Sequence, residues 1–144
     1  MSTLFPPVRP RGHVEVRYLD MQAGHRWALP TALLAALLSD PVVTDRALEL
    51  CEPARGRWVS GARHGLADRV LARAAVGVFD LALTRLPAVG APQWVVDGLC
   101  SMTERYVLRG RCPADDVYGD PECEGRYRPD HRDADAAPSE GRTA

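Results

Sequence analysis

The run Phe5-Pro-Pro-Val-Arg-Pro-Arg-Gly-His-Val-Glu-Val-Arg-Tyr-Leu-Asp20 sets Glu15 and Arg17 two residues apart. In an extended chain, residues two apart lie on the same face, so the two side chains converge on one site. A carboxylate is a hard oxygen ligand suited to Mg²⁺, and an arginine beside it can grip a phosphoryl group through its planar fork of donors. Together they suit phosphoryl chemistry. On residue type alone the competing reading is an ion pair across a solvated sheet face. Arg9 and Arg11 flank the same stretch and can reach a phosphate or a carboxylate, although the prolines on both sides of Arg9 equally suit a rigid connection. His13 shares the polar face and reads as a hydrogen-bonded structural residue rather than a ligand.

The element that must hold these groups is a strand over about residues 12–20. Val14, Val16 and Tyr18 alternate with His13, Glu15 and Arg17, the period of two expected of a half-buried strand. One face is then core and the other carries the chemistry. Leu4 to Pro10 has three prolines in seven residues, which removes backbone donors and predicts an extended lead-in. A single strand cannot satisfy its own backbone groups, so this one is expected to belong to an antiparallel sheet whose partners are not evident in the chain.

The remaining elements are helical. Leu33, Leu34, Leu37 and Leu38 line one face of a helix that Pro30 opens and Asp40-Pro41 stops. A second helix runs from Pro41 to about Cys51, and a short helical stretch follows from Trp58 to near Gly65. Asp68 caps a longer helix to about Leu86, with Val70, Leu71, Ala74, Ala75, Val78, Leu81 and Ala82 as its apolar stripe. The last helix starts near Pro92, carries Val95, Val96, Leu99, Met102, Tyr106 and Val107, and ends at Gly110. The fold class is therefore α+β: one active-site strand followed by four or so helices. Trp27, Trp58 and Trp94 read as core or interface anchors, and Cys100 as a small buried hydrophobe.

Beyond Arg111, prolines interrupt a stretch rich in Asp, Glu, Gly and Arg with almost no aliphatic residues. Residues 1–111 are expected to form the folded portion and 112–144 a disordered acidic tail. The 144 residues, 46% hydrophobic and 26% charged, suit one globular domain. A net charge of −1 gives no field for holding nucleic acid. All 18 basic residues are Arg, while Lys, Asn and Ile are absent, so arginine abundance reflects composition before chemistry. The four cysteines, Cys51, Cys100, Cys112 and Cys123, form no C-x-x-C pair and are expected to be reduced thiols; Cys112 and Cys123 with His131 lack a fourth zinc ligand. The N-terminal residues show no charged leader followed by an apolar stretch, and the apolar run at Ala32 to Leu38 falls short of the ~20 residues that cross a bilayer. A cytoplasmic location without membrane attachment is expected. No G-x-x-x-x-G-K-[ST] or G-x-G-x-x-G phosphate loop occurs.

The run from Thr3 to Arg17 with Leu19-Asp20 resembles the C-terminal part of the glutamate-cysteine ligases, in the actinobacterial branch assigned to ergothioneine biosynthesis. Ala28-Leu-Pro, Leu37-Leu-Ser-Asp-Pro41, Ala62-Arg-His-Gly-Leu-Ala-Asp68 and Gly110-Arg-Cys-Pro-Ala-Asp-Asp116 look like the same branch in the same order, so the likeness covers roughly residues 2 to 116. Glutamine synthetases have a similar Glu-Val-Arg strand, which on its own indicates only the wider carboxylate-amine ligase group. The resemblance implies a partial glutamine synthetase-like fold and an ATP- and Mg²⁺-dependent ligase that phosphorylates the γ-carboxyl of glutamate and joins it to the amine of cysteine. It implies that Glu15 matches a metal-ligand position, that Arg17 neutralises charge on the transferring phosphoryl group, and that Arg9 and Arg11 contact the nucleotide or substrate. Those ligases are considerably longer, and their other metal-binding carboxylates precede the segment matched here. The chain is thus expected to be a C-terminal portion that needs a further polypeptide and is inactive alone. The alternative is a non-catalytic helical module that pairs its lone strand with a partner chain.

Overall fold

The computed structural model of the chain describes residues 8–19, 22 and 24–118. Cys123, His131 and the residues from 119 onward lie outside the described residues, as do Met1 to Pro7. The architecture is a two-stranded hairpin followed by helices, in agreement with the α+β expectation.

The strand is shorter than its alternating pattern, Val14–Val16 (β2), and its partner is Val8–Pro10 (β1). The two pair antiparallel with Val8 opposite Val16, Arg9 opposite Glu15 and Pro10 opposite Val14. The chain therefore supplies one partner strand itself, from the proline-rich segment that reads as a lead-in. Pro10 lacks an N–H, but a strand at a sheet edge needs only its inward groups to be paired. The turn contains Gly12 at φ +74°, a left-handed conformation that side chains with a Cβ rarely adopt. The strands pack on each other and not extensively on any helix. The apolar face of the hairpin is correspondingly open: Val14 is 64% exposed and Tyr18 57%. Among the described residues no second layer covers this small sheet, so the expected core-facing side is not formed there.

The helical part begins with a 3₁₀ turn, Gly24–Trp27, and continues as α1 (Ala28–Leu38), α2 (Pro41–Cys51), α3 (Trp58–His64), α4 (Arg69–Arg85) and α5 (Gln93–Arg105). Two aspartates set the boundaries. Asp40 caps α2 by accepting from the Val42 amide at 2.8 Å, with Pro41 in the first turn where a missing donor costs nothing. Asp68 caps α4 by accepting from Val70 and Leu71. Gly90 and Gly110 end the turns after α4 and α5 at φ +73° and +65°.

The core is made by α1, α4 and α5: Leu29, Ala36, Leu37, Ala82, Leu86, Val95 and Leu99 form one buried cluster, with Leu86 and Leu99 fully enclosed. Gly98 lets α5 approach α1 closely, since a Cβ there would stand 2.8 Å from Leu29 Cδ2. The three tryptophans are not core residues: Trp27, Trp58 and Trp94 are 61%, 80% and 49% exposed. Cys100 is also exposed; it follows Leu99 in α5 and is turned about 100° from the buried face. Residues 112–118 belong to a second unit, in which Ala114–Tyr118 forms a short helix (α6) that the composition of that stretch does not reveal. No single helix among the described residues is long and apolar enough to cross a membrane.

Candidate active site

The hairpin places Arg9, Glu15 and Arg17 on one face. Cross-strand pairing sets Arg9 opposite Glu15, and alternation along β2 brings Arg17 to the same side. Glu15 Oε2 lies 3.9 Å from Arg9 Nε, and Glu15 Oε1 lies 3.6 Å from Arg17 Nε. Each carboxylate oxygen thus faces a different guanidinium, beyond direct hydrogen-bonding distance. The three side chains are partly exposed, at 28%, 38% and 29% for Arg9, Glu15 and Arg17. Arg11 and His13 are exposed residues of the turn, where the Arg11 amide donates to the His13 carbonyl at 2.8 Å. Arg9, Glu15 and Arg17 are therefore brought together, whereas Arg11 sits at the tip.

Among the described residues this cluster holds two guanidinium groups to one carboxylate, a balance that favours an anion. A divalent cation needs several oxygen ligands, and among the described residues no three His, Cys, Asp or Glu side chains gather to hold one. Glu15 offers a single carboxylate, already flanked by two guanidinium groups. The described residues therefore do not fit a Mg²⁺ ion by themselves.

A second concavity, which the sequence pattern gives no reason to expect, lies where the end of α2 meets α3 and α4. It encloses about 800 Å³ and is lined largely by apolar atoms, with Leu48, Cys51, Trp58 and Leu71 among the lining residues. Its charged side chains are held locally: Arg55 pairs with Glu52 at 3.2 Å and Arg57 with Asp68 at 2.7 Å. Cys51 is exposed overall, and partial desolvation of its thiol beside this concavity pushes it above its ordinary range. Asp68 also accepts from Ser60 Oγ at 2.6 Å; that bond, together with the cap bond from Val70, holds its carboxyl down to about 2. This is a structural network that fixes the α3–α4 corner.

The model of glutamate-cysteine ligase family 2 (GCS2) matches residues 1–133, a span that contains the hairpin and every helix described. The chain is 44% identical over 118 residues to the glutamate–cysteine ligase EgtA of Mycobacterium tuberculosis, covering 81% of this chain and 26% of that protein. It is 40% identical over 116 residues to the glutamate–cysteine ligase EgtA of Mycolicibacterium smegmatis, with the same coverages. The chain thus spans about a quarter of the length of the curated relatives it matches. No solved structure matches it.

Proposed function

The chain belongs to glutamate-cysteine ligase family 2, and from that premise we propose that it contributes the Glu15–Arg17 strand to a cytoplasmic ATP-dependent ligase joining glutamate to cysteine in thiol biosynthesis, of the ergothioneine branch. The observation that carries the reading is the convergence of Arg9, Glu15 and Arg17 on one hairpin face inside the matched span. In the proposed reaction the γ-carboxylate of glutamate attacks the terminal phosphorus of ATP, releasing ADP and forming γ-glutamyl phosphate. The amine of cysteine then attacks the acyl carbon, phosphate leaves, and the amine loses a proton as the amide forms. Charge on the phosphoryl oxygens is what Arg17 neutralises, with Arg9 and Arg11 as further donors to nucleotide or substrate. Glu15 orients the two guanidinium groups, and it would help hold a Mg²⁺ ion only where residues beyond the described ones supplied the other oxygen ligands.

The test uses two proteins. The purified 144-residue chain is expected to form no γ-glutamylcysteine from glutamate, cysteine and ATP. The same chain joined in frame behind the part of the M. tuberculosis relative that it does not match is expected to form it. In that fusion Glu15→Gln and Arg17→Gln each lower turnover by about a hundredfold or more, the scale of removing one preorganised charge from a transition state. A fusion whose turnover survives both changes overturns the assignment of the strand.

A further inference from the structure

At the corner where α2 ends and α3 begins, two helices line the same concavity of about 800 Å³ with regularly spaced residues. Leu48 and Cys51 stand three residues apart near the end of α2, and Trp58, Gly61 and Ala62 stand three and four apart on α3, so each set is one helix stripe. Gly61 and Ala62, with little or no side chain, leave space beside Trp58 that larger residues would fill. Leu71 of α4 packs close beneath α3, since a Cβ added at Gly61 would lie 3.4 Å from its Cδ1. The lining is largely apolar, yet Trp58 is 80% exposed and Leu48 63%. The charged side chains of the corner are tied to one another, Arg55 to Glu52 and Arg57 to Asp68, two bases to two acids. A pocket for a polar metabolite turns a few polar groups inward to fix its ligand; here those groups engage each other. A charge-balanced apolar recess beside an exposed tryptophan has instead the form of a protein contact, in which tryptophan is a favoured anchor.

We infer that this recess receives an apolar segment from the remaining part of the ligase polypeptide, with Trp58 as the anchoring side chain. The inference rests on the proposed reading in one respect, that the chain works as a portion of a longer ligase. The corner lies inside the span matched to the family, residues 1–133, and the chain covers 26% of each curated relative, so most of such a polypeptide lies outside the part matched. Charge selects the kind of segment. An acidic segment could take Arg57 only by parting it from Asp68, whose carboxylate also caps α4 and accepts from Ser60, and a basic one would meet acids that already have partners. An apolar segment needs neither exchange and covers Trp58 and Leu48 at once. The hairpin then serves the chemistry and this corner the attachment.

Cys51 lines the recess and is exposed in this chain, so its reactivity reports what covers the corner. Its alkylation by iodoacetamide, read by mass spectrometry, is compared between the 144-residue chain and the fusion behind the unmatched part of the M. tuberculosis relative. Alkylation is expected to be slower in the fusion by about tenfold or more, because the contact must open before the reagent enters. Trp58→Ser is expected to bring the fusion to within about twofold of the same variant of the isolated chain, and Trp58→Phe to keep the protection. In the isolated chain Trp58→Ser is expected to leave the far-ultraviolet dichroism and the thermal midpoint unchanged, since the ring is exposed there; in the fusion the same change lowers the midpoint. Equal alkylation in chain and fusion, or protection that survives Trp58→Ser, overturns the inference. So does protection in the isolated chain that removal of residues 119–144 abolishes or that rises with concentration, which assigns the recess to that stretch or to a second copy. Turnover is read separately: protection without turnover keeps the contact and removes the ligase reading, and turnover without protection does the reverse.

Discussion

Gly98 and Gly77 both sit inside helices, and the structure separates what an added methyl group does at each. At Gly98 in α5 a Cβ would stand 2.8 Å from Leu29 Cδ2 and 3.4 Å from its Cδ1, and Leu29 is only 7% exposed. At Gly77 in α4 the nearest atom is Leu50 Cδ2 at 3.0 Å, on a half-buried side chain with room to turn outward. Alanine is favoured over glycine in a helix interior by about 1 kcal/mol at both positions. Forcing an extra methyl into a closed core costs ~1–3 kcal/mol. The balance makes Gly98→Ala destabilising by about 1 kcal/mol, whereas Gly77→Ala is neutral or stabilising by up to about 1 kcal/mol because its neighbour yields. Urea unfolding followed by far-ultraviolet dichroism reads both, with the midpoint moving and the slope unchanged. Leu29→Ala supplies the internal control. Alone it opens a cavity at a cost of about 2–5 kcal/mol; combined with Gly98→Ala it removes the clash, so the double variant is less unstable than the sum by about 1 kcal/mol or more. Gly98→Ala stabilising as much as Gly77→Ala, or strict additivity with Leu29→Ala, refutes the close approach of α5 to α1.

Two further outcomes follow from the α3–α4 corner. The Asp68 carboxyl is held down to about 2, by its bond from Ser60 first and the cap bond from Val70 next. A depressed carboxylate adds stability above the ordinary range near pH ~4 and loses it as pH falls towards 2, so Asp68→Asn lowers the thermal midpoint at neutral pH and the gap to wild type closes between about pH 4 and 2, read by melts across that window. Partial desolvation raises the thiol of the exposed Cys51, so at mildly alkaline pH its alkylation by iodoacetamide, followed by mass spectrometry, is expected to be slower than that of a free cysteine derivative; an equal or faster rate shows that desolvation does not govern it.

The helix boundaries were legible because local chemistry writes them. Asp40-Pro41, Asp68 and Gly110 act through their own backbone and side chains, and the structure uses each where the sequence places it. The apolar stripe of α4 and the Val95 and Leu99 face of α5 were legible by period. The β1 strand was not. Prolines spaced through Leu4 to Pro10 argue against a ladder, yet the argument holds only for a strand bonded on both sides. The Arg11 amide donates to His13, so alternation turns Arg9 towards β2 and Pro10 away from it, and the missing donor falls on the side away from β2. The exposed tryptophans exclude the core half of their reading and leave the interface half: an aromatic residue signals burial somewhere, and neither its type nor its spacing says whether within this chain. As for the site, alternation brought Glu15 and Arg17 together correctly, but the second guanidinium at Arg9 depended on a pairing partner that the sequence did not disclose.

That second guanidinium changes how the site is to be understood. A carboxylate between two arginines at 3.9 and 3.6 Å is partly neutralised by both, and a divalent cation approaching it would meet two positive charges at close range. Further carboxylates nearby would reverse the balance, drawing the guanidinium groups away and leaving Glu15 to the ion. Among the described residues a cluster of one carboxylate and two guanidinium groups therefore favours an anion, and it would join a cation site only with further acidic neighbours. The helices have no share in that exchange: their core of Leu29, Leu37, Leu86 and Leu99 closes without extensive packing on either strand. On the proposed reading, substitutions at Arg9, Glu15 or Arg17 are expected to act on what the chain binds, and substitutions at Leu86 or Leu99 on whether it folds. A change that moves both together would mean that the hairpin and the helices share a layer which the described residues do not supply.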